Sequence, residues 1–134
     1  MCMTDDYAER VRHLDEGGFV TARREHKCME CARRVDVGET YHAETYVFNG
    51  AVTRHKTCEH CMVVRQWLSD ECGGWMYTAV EEDAADHVSG YGMDLARAVI
   101  GMRWKWRGKS GRLLPVPRRI LTGHELRRKR EVAA

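Results

Sequence analysis

Two stretches of strand-forming residues, separated by a turn signal, lie near the middle of the chain. Residues 41–48 are rich in Tyr, Val, Thr and Phe, which strands favour, and residues 51–57 form the return stretch. Asn49 and Gly50 between them are the pair preferred by a type I′ turn, in which both positions need a positive φ. The pattern predicts a β-hairpin that runs directly into Cys58.

Apolar residues recur at helical spacing in two later stretches. Within residues 62–71, Val63 and Trp67 are four residues apart, as are Val64 and Leu68, and Gly73 follows. Residues 93–103 have four apolar side chains that helical spacing places on one side: Leu95, Ala96, Val99 and Ile100. We therefore expect two helices that bury these faces.

Capping signals predict further helices towards both ends of the chain. Thr4 is a candidate N-cap for a helix that reaches about Glu16, before a Gly-Gly pair. The predicted apolar face of that helix consists of Tyr7, Val11 and Leu14. Thr122 and Glu125 have the spacing of a capping box, which predicts a last helix.

The region between the two central helices has a weaker pattern. Residues 75–80 fit either a strand or a packed loop, and residues 81–88 fit a short acidic helix. The mixture of strands and helices predicts the α+β class, with the helices packed around the hairpin.

The composition is that of one small globular domain. The chain has 134 residues, of which 43% are hydrophobic and 31% charged, and it is long enough to bury about two thirds of its unfolded surface. No apolar stretch reaches the ~18 residues of a membrane span, and the acidic start does not resemble a secretory signal. We therefore expect a single domain over residues 1–134, located in the cytoplasm and without membrane contact.

Charge is distributed unevenly along the chain. Residues 1–96 contain 10 Lys and Arg against 18 Asp and Glu, whereas residues 97–134 contain 12 against 2. The net charges of these segments are therefore −8 and +10, although the whole chain carries only +2. Such asymmetry suggests an anionic partner for the basic C-terminal segment, residues 97–134; alternatively, the two halves neutralise each other within the fold.

Four of the six cysteines form two C-x2-C pairs: Cys28 with Cys31, and Cys58 with Cys61. In a reducing compartment such pairs are metal ligands more often than disulfides, and four thiolates provide the closed tetrahedral set that zinc accepts. The spacing predicts one structural Zn2+ bound by these four residues. The alternative for either pair alone is a redox-active dithiol.

Other side chains near the pairs leave the exact ligand set open. His26, His55 and His60 flank the cysteines, so a site with three cysteines and one histidine is an alternative. We expect His60 to point away from the metal, and His26 and His55 to be solvated strand residues. Of the remaining cysteines, Cys72 is the better substitute ligand, and both it and Cys2 are otherwise spare thiols.

The order of these features resembles the treble-clef class of zinc fingers. Cys28 and Cys31 match the ligands of the knuckle, a hairpin follows, and Cys58 and Cys61 match the ligands at the start of the helix. The resemblance covers residues 26–72 and implies a zinc-finger core. It departs from the usual pattern at Ala32, where the knuckle has a glycine, and at Met29, where the loop often holds a proline.

A second, weaker resemblance is to small zinc-finger proteins of tailed bacteriophages. It is carried by C-x2-C, G-E-x-Y, N-G and C-x2-C in that order, ahead of a basic end. This resemblance implies a viral protein that works in a bacterial cytoplasm.

The basic end of the chain combines cations with indole rings. Cations neutralise phosphates, and indoles stack on unpaired bases, so this composition favours nucleic-acid binding. Alternatively, Trp104 and Trp106 both face the core from a strand. The predicted nucleic-acid-binding residues are Arg103, Trp104, Lys105, Trp106, Arg107, Lys109, Arg112, Arg118, Arg119, Arg127, Arg128, Lys129 and Arg130.

Three functional hypotheses follow. The first is a non-enzymatic zinc protein that binds nucleic acid through its basic end. The second is an adaptor or inhibitor that binds a host protein, such as a polymerase, nuclease or defence complex. The third is an HNH-like metal-dependent nuclease, because His42, Asn49 and His55 occur in that order between the cysteine pairs.

Overall fold

A computed structural model of the protein describes residues 10–133 and shows an α+β fold. From Val11 to Ala133 it contains five β-strands, a 3-10 turn at Val88–Gly90 and four α-helices. The strands are β1 (Val11–Thr21), β2 (His26–Lys27), β3 (Arg34–Val35), β4 (Thr40–Phe48) and β5 (Ala51–Cys58). The helices are α1 (Glu59–Cys72), α2 (Val80–Ala85), α3 (Met93–Arg103) and α4 (Gly123–Ala133).

The predicted hairpin is confirmed as the centre of a three-stranded antiparallel sheet with the order β1-β4-β5. Strands β4 and β5 pair without a register shift from Phe48 opposite Ala51 to Tyr41 opposite Cys58. The two residues between the strands have φ values of 51° and 79°, which is the conformation that a type I′ turn requires. The sheet therefore delivers Cys58 directly to the start of α1.

The helix predicted up to Glu16 is wrong from Val11 onward, where the chain forms strand β1 instead; Arg10, the first described residue, is helical. Pairing with β4 supplies backbone hydrogen bonds from Val11 to Thr21, and this long-range pairing outweighs the helical spacing of the apolar residues. Gly17, which we interpreted as part of a helix stop, lies at an irregularity within β1 with φ 67°. A Cβ there would come within 1.7 Å of the Ala43 oxygen. Thr4 and Tyr7 lie outside the described residues.

The main core lies between the sheet and the helices. Helix α1, predicted from its apolar spacing, is confirmed and buries Val64, Trp67 and Leu68. Helix α3 is confirmed with the expected bounds, but its buried face differs from our expectation. Leu95 and Val99 are inside as predicted, whereas Ile100 is 53% exposed. Ala98 and Met102 are buried on α3 as well.

The chain between α1 and α3 is mostly irregular. The stretch before α2 is a turn-containing loop rather than a strand, and α2 is shorter than the predicted acidic helix. The last helix, α4, follows Thr122 as the capping box predicts, because Thr122 Oγ1 accepts from the Glu125 N–H at 3.3 Å.

The segment between α3 and α4 packs back across α1. Trp106 and Ile120 are buried in the core. The Leu114 oxygen lies 2.6 Å from His60 Nε2, and the Leu121 oxygen accepts from Trp67 Nε1 at 3.1 Å. Much of the basic segment is therefore fixed to the domain. Within residues 10–133, no helix is long and apolar enough to cross a membrane.

Candidate metal centre and basic surface

The four paired cysteines come together in one buried cluster. Their sulfur atoms all lie within 4.8 Å of one another, and the Sγ atoms of Cys31 and Cys58 are 3.9 Å apart. The C-x2-C spacing predicted this set of four cysteines, and their arrangement could hold a metal ion. Because all four donors are thiols, the ligand set is soft and suited to a thiophilic metal.

The first pair lies in a tight loop between β2 and β3. Cys28 Sγ accepts hydrogen bonds from the N–H groups of Glu30 at 3.4 Å, Cys31 at 3.5 Å and Cys58 at 3.3 Å. The loop closes through a bond from the Ala32 N–H to the Cys28 oxygen at 2.9 Å. These backbone donors stabilise negative charge on the Cys28 sulfur.

The second pair lies where β5 meets α1. Cys58 is the N-cap of the helix, and its Sγ accepts from the Cys61 N–H at 3.4 Å. A sulfur at this position is close to the positive end of the helix dipole, which favours the thiolate. The hairpin register and the start of the helix thus place both sulfurs beside the first loop.

The four thiols differ in the direction of their pKa shifts. A hydrogen bond from Cys31 lowers the pKa of Cys28, and hydrogen bonds from the other three thiols lower the pKa of Cys58. The pKa of Cys31 is raised by its bonds to Cys28 and Cys58, and burial raises the pKa of Cys61. A divalent cation bound there would favour the thiolate form of all four sulfurs.

Three side chains outside the pairs enclose the site. Trp106 Nε1 donates to Cys61 Sγ at 3.3 Å. His60 Nδ1 lies 3.2 Å from the Arg33 guanidinium, which also pairs with Glu39 at 3.0 Å. These contacts link the cysteine cluster to the β3–β4 loop and to the basic segment. Sequence patterns gave no signal for the partners of Arg33.

None of the alternative ligands joins the cluster among the described residues. His60 points to the Leu114 oxygen, as expected for a side chain directed away from the metal. The sequence predicts that His55 is solvated, and this is wrong. His55 is fully buried, with its Nε2 2.8 Å from Glu30 Oε2. Cys72 is disulfide-bonded rather than a spare thiol. Cys2 lies outside the described residues.

His26 is half-buried at the edge of the first loop. Its Nδ1 lies 3.0 Å from Lys56 Nζ, and its Nε2 lies 3.3 Å from the Tyr41 hydroxyl. Burial and the cations Lys56 and Arg24 lower the pKa of His26. His26 therefore bridges Lys56 of β5 and Tyr41 of β4.

A buried polar network that sequence reasoning missed joins β4 to α1. The Glu44 carboxylate accepts two hydrogen bonds from Arg65 and one from the Tyr77 hydroxyl, and it lies 2.9 Å from His42 Nδ1. Burial raises the pKa of Glu44, but the hydrogen bonds from Arg65 and Tyr77 have a larger effect in the opposite direction, so the pKa is lowered overall. The only sequence signal was an acidic residue within a β-forming run.

The residues predicted to bind nucleic acid separate into four groups. Trp106 is 3% exposed and belongs to the metal centre, which differs from the expected surface position. Arg103 is paired with Glu81, and Arg119 is paired with Glu125 at 2.5 Å. Arg107 is half-buried, and the remaining residues are exposed: Trp104, Lys105, Lys109, Arg112, Arg118, Arg127, Arg128, Lys129 and Arg130.

The two tryptophans point in opposite directions because of the turn that joins them. Trp104 ends α3, and the next two residues, Lys105 and Trp106, have φ values of 55° and 58°. This left-handed turn reverses the chain, so that Trp106 enters the core while Trp104 is 71% exposed. The segment is therefore not the strand that would bury both rings.

Comparisons with known proteins give no relative for this chain: no family model, curated protein or solved structure matches it.

Proposed function

We propose that the protein is a non-enzymatic zinc-binding protein whose C-terminal basic surface binds nucleic acid. The basic surface comprises the exposed residues Trp104, Lys105, Lys109 and Arg112, and the exposed cations of α4 are a further group in the same C-terminal segment. The observation that carries the proposal is the exposed indole of Trp104, which directly precedes the left-handed turn in a stretch of the chain rich in cations.

The cysteine cluster fits zinc in its donors and in its dimensions. Zinc binds thiolate sulfur at about 2.3 Å in a tetrahedron, whose sulfur atoms are then about 3.8 Å apart. The distance of 3.9 Å between the Cys31 and Cys58 sulfurs agrees with this edge. Zinc here would neutralise thiolate charge and cross-link the first loop to the start of α1, and four thiolates leave no position for substrate.

The local architecture supports the resemblance to a treble clef. A loop with the first cysteine pair, a β-hairpin and a helix that starts at the second pair follow one another in that order. Ala32 has a φ of 66°, so it adopts the left-handed conformation for which knuckles use glycine. The sequence departure at this position thus leaves the backbone geometry intact.

Trp104 is positioned for stacking rather than for packing. Two successive non-glycine residues with positive φ are costly, and such strain persists where the surrounding structure enforces it. Burial of Trp106 stabilises the turn, and the turn holds Trp104 in solvent. An aromatic ring beside cations is the arrangement that single-stranded nucleic acid recognises through stacking and phosphate contacts.

The neighbouring cations are available to phosphates. Among residues 10–133, no ion pair involves Lys105, Lys109 or Arg112. The α4 cations Arg127, Arg128, Lys129 and Arg130 are likewise exposed. Arg103 and Arg119 have acidic partners, so we propose that they fix the surface rather than bind phosphate.

Binding rather than catalysis is supported by the environment of the histidines. His42 is 8% exposed and His55 is fully buried, and each lies against a carboxylate within the interior. Asn49 lies in the hairpin turn, at the far end of β4 from His42. We therefore propose structural roles for both histidines instead of the roles that an HNH-like nuclease would need.

The proposal is tested by the salt dependence of binding to a fluorescent oligothymidylate. Affinity should fall steeply between about 50 and 200 mM salt, because each phosphate contact on a single strand contributes about −0.7 to the slope of log K against log salt. The triple variant Lys105→Gln, Lys109→Gln and Arg112→Gln should reduce the slope by about 2. Trp104→Ala should weaken binding but leave the slope unchanged, because stacking releases no counterions.

A control with the same change in net charge is Arg12→Gln, Lys27→Gln and Arg34→Gln, at exposed positions outside the basic surface. It should keep the wild-type slope. Equal effects of the two triple variants would show that only net charge matters. Binding that does not respond to salt would contradict the proposal.

A second candidate function, binding to a host protein, is favoured by the outer face of α3. Met93 and Ile100 are 66% and 53% exposed and lie on the same side as Trp104, at spacings of seven and four residues. Exposed apolar side chains in a row mark protein interfaces. If this candidate is correct, a nuclease-treated pull-down should retain a stoichiometric protein that Met93→Ser with Ile100→Ser releases, while Lys105→Gln with Lys109→Gln retains it.

A further inference from the structure

A cationic cleft separate from the C-terminal basic surface is formed by residues of the segment 1–96, which carries a net charge of −8. It has a volume of about 780 Å³ and lies between the end of β1, the loop before β2 and strand β5. Arg23, Arg24 and Arg54 line it together with His26 and Tyr41, and no acidic side chain is part of its lining.

Its cations are exposed, and one of them is held in place. Arg23 and Arg24 form no ion pair among the residues that the structure describes. Arg54 Nη1 donates to both Asp15 at 3.0 Å and Thr45 Oγ1 at 2.9 Å. Both bonds use the same nitrogen, so Nε and Nη2 of this fixed guanidinium remain available to an anion.

Lys56 extends the positive surface along β5. It lies two residues beyond Arg54 on the same face of the strand, a separation of about 7 Å. Its Nζ is held 3.0 Å from His26 Nδ1. Four of the ten Lys and Arg residues in positions 1–96 thus line or border one concave surface, in the part of the chain where acidic residues predominate.

The cleft and the C-terminal basic surface occupy opposite sides of the sheet. Arg54 lies opposite Thr45 and bonds to it, whereas the neighbouring Glu44 points the other way to Arg65 of α1. The basic segment packs across α1, as the contact between Trp67 and Leu121 shows. The two cationic surfaces are therefore separated by the sheet and α1.

We propose that this cleft binds the phosphates of a nucleic-acid strand, as a second contact surface separate from the C-terminal one. This inference rests on the proposed function. The cations are spread along the loop and along β5 instead of converging on one point, which suits a chain of phosphates better than a single small anion. Arginine is well suited to such contacts, because its planar group donates in a fork that matches phosphate oxygens.

The test compares two double variants in the full-length protein. Arg23→Gln with Arg24→Gln removes two cleft cations, and Lys27→Gln with Arg34→Gln makes the same charge change on the neighbouring β2–β3 hairpin. Affinity for oligothymidylate is measured across salt concentrations. The arginine Nε–Hε resonance of Arg54 is followed by NMR during the same titration.

We expect the cleft variant to reduce the salt slope by about 1.4, which corresponds to two phosphate contacts on a single strand, and the control to leave the slope unchanged. The Arg54 resonance should shift on saturation in the wild type and in the control, and less in the cleft variant. Such a result would support the cleft as a phosphate site.

Two negative outcomes are distinguishable. If the oligonucleotide binds and depends on Lys105, Lys109 and Arg112, but the two double variants behave alike and the Arg54 resonance does not move, the cleft proposal is overturned and the proposed function remains. If the wild-type protein binds no oligonucleotide at any salt concentration, both are overturned.

Discussion

At the scale of single residues, Glu30 connects the first cysteine loop to the rest of the fold. Its buried carboxylate lies 2.8 Å from His55 Nε2 and accepts from the Thr78 and Val80 N–H groups at 2.8 and 3.3 Å. A residue inside a C-x2-C loop thus fixes both β5 and the start of α2. Its position between two cysteines gave no sign of this role, because its partners are 25 to 50 residues away in the chain.

Replacing Glu30 by Gln should lower the free energy of unfolding by about 1–3 kcal/mol, because the amide keeps one acceptor but directs N–H groups at donors. Urea unfolding of the metal-loaded protein measures the change. Glu25→Gln is the matched control, because Glu25 is exposed and its ion pair with Arg34 is long, at 3.7 Å. This substitution should change stability by less than about 0.5 kcal/mol. Equal effects of the two substitutions would contradict the role of Glu30.

Gly101 allows the Trp106 ring to approach α3 closely while it contacts the cysteine cluster. A Cβ at this position in α3 would lie 2.4 Å from the Trp106 ring, whose Nε1 donates to Cys61 Sγ. The helix could be predicted from the apolar pattern, but the need for glycine within it could not, since the ring that contacts it returns to the helix only through the left-handed turn.

Gly101→Ala should therefore destabilise the protein by about 1–3 kcal/mol, even though alanine is the better helix former. It should also weaken zinc retention in competition with a chromophoric chelator, because the Trp106 ring has to move away from Cys61. Gly90→Ala is the control, as a Cβ there meets nothing within 4 Å. A neutral or stabilising effect of Gly101→Ala would show that Trp106 does not need this space.

At the scale of elements, α4 depends on its first turn. Beyond that turn it is exposed and strongly basic, so packing contributes little to its stability. Thr122 and Glu125 form the capping box, and Arg119 adds a two-bond contact to the Glu125 carboxylate. Hydrogen bonds from Arg119 lower the pKa of Glu125 to about 2. Local sequence was sufficient to predict this helix, because its cap is local.

Thr122→Ala should raise the amide exchange rates of α4 about fivefold, which corresponds to the ~1 kcal/mol that an N-cap contributes. Because the folded-state pKa of Glu125 lies below its ordinary value of 4.5, the contribution of this carboxylate is fully present above that pH and is lost only as the pH falls towards 2. Exchange protection of α4, corrected for intrinsic rates, should therefore not change between about pH 5 and 8. A marked loss of protection between about pH 5 and 8 would contradict the assigned cap. Glu131→Gln, which changes a carboxylate of α4 outside the capping box, serves as the control.

At the scale of the whole molecule, the cysteine cluster joins parts of the chain that are distant in sequence. The first pair comes from the β2–β3 loop, the second from the junction of β5 and α1, and Trp106 reaches the site from beyond α3. In small zinc modules the metal contributes on the order of 10–16 kcal/mol of folding free energy, which is as much as the net stability of an entire domain. Zinc bound to this cluster would therefore be a major part of the stability of the fold.

Cys58→Ser should consequently lose zinc and most of its tertiary structure. Metal analysis should find about one equivalent of zinc in the wild type and much less in the variant. Near-ultraviolet circular dichroism should show the loss of fixed aromatic packing. Met29→Leu, a volume-conserving change in the same loop, should keep both metal and structure. A folded, metal-free wild-type protein would contradict the proposed zinc site.

The sequence by itself determined the features that depend on neighbours along the chain. It predicted the hairpin and its turn, helices α1 and α3, the cap of α4 and the four cysteines that form the cluster. Each is specified by periodicity, by a turn pair or by short spacing, so no distant contact was needed to recognise it.

Only the tertiary structure decided the features that depend on distant partners. Residues 11–21 are a strand because β4 supplies the hydrogen bonds, and His55 is buried because Glu30 lies opposite it. Trp104 and Trp106 face opposite ways because Trp106 finds a sulfur acceptor in the core. Local propensity is worth only tenths of a kcal/mol per residue, so long-range contacts prevail where the two disagree. Strand pairing decides the conformation of residues 11–21, which are mostly exposed, whereas burial decides the positions of His55 and Trp106.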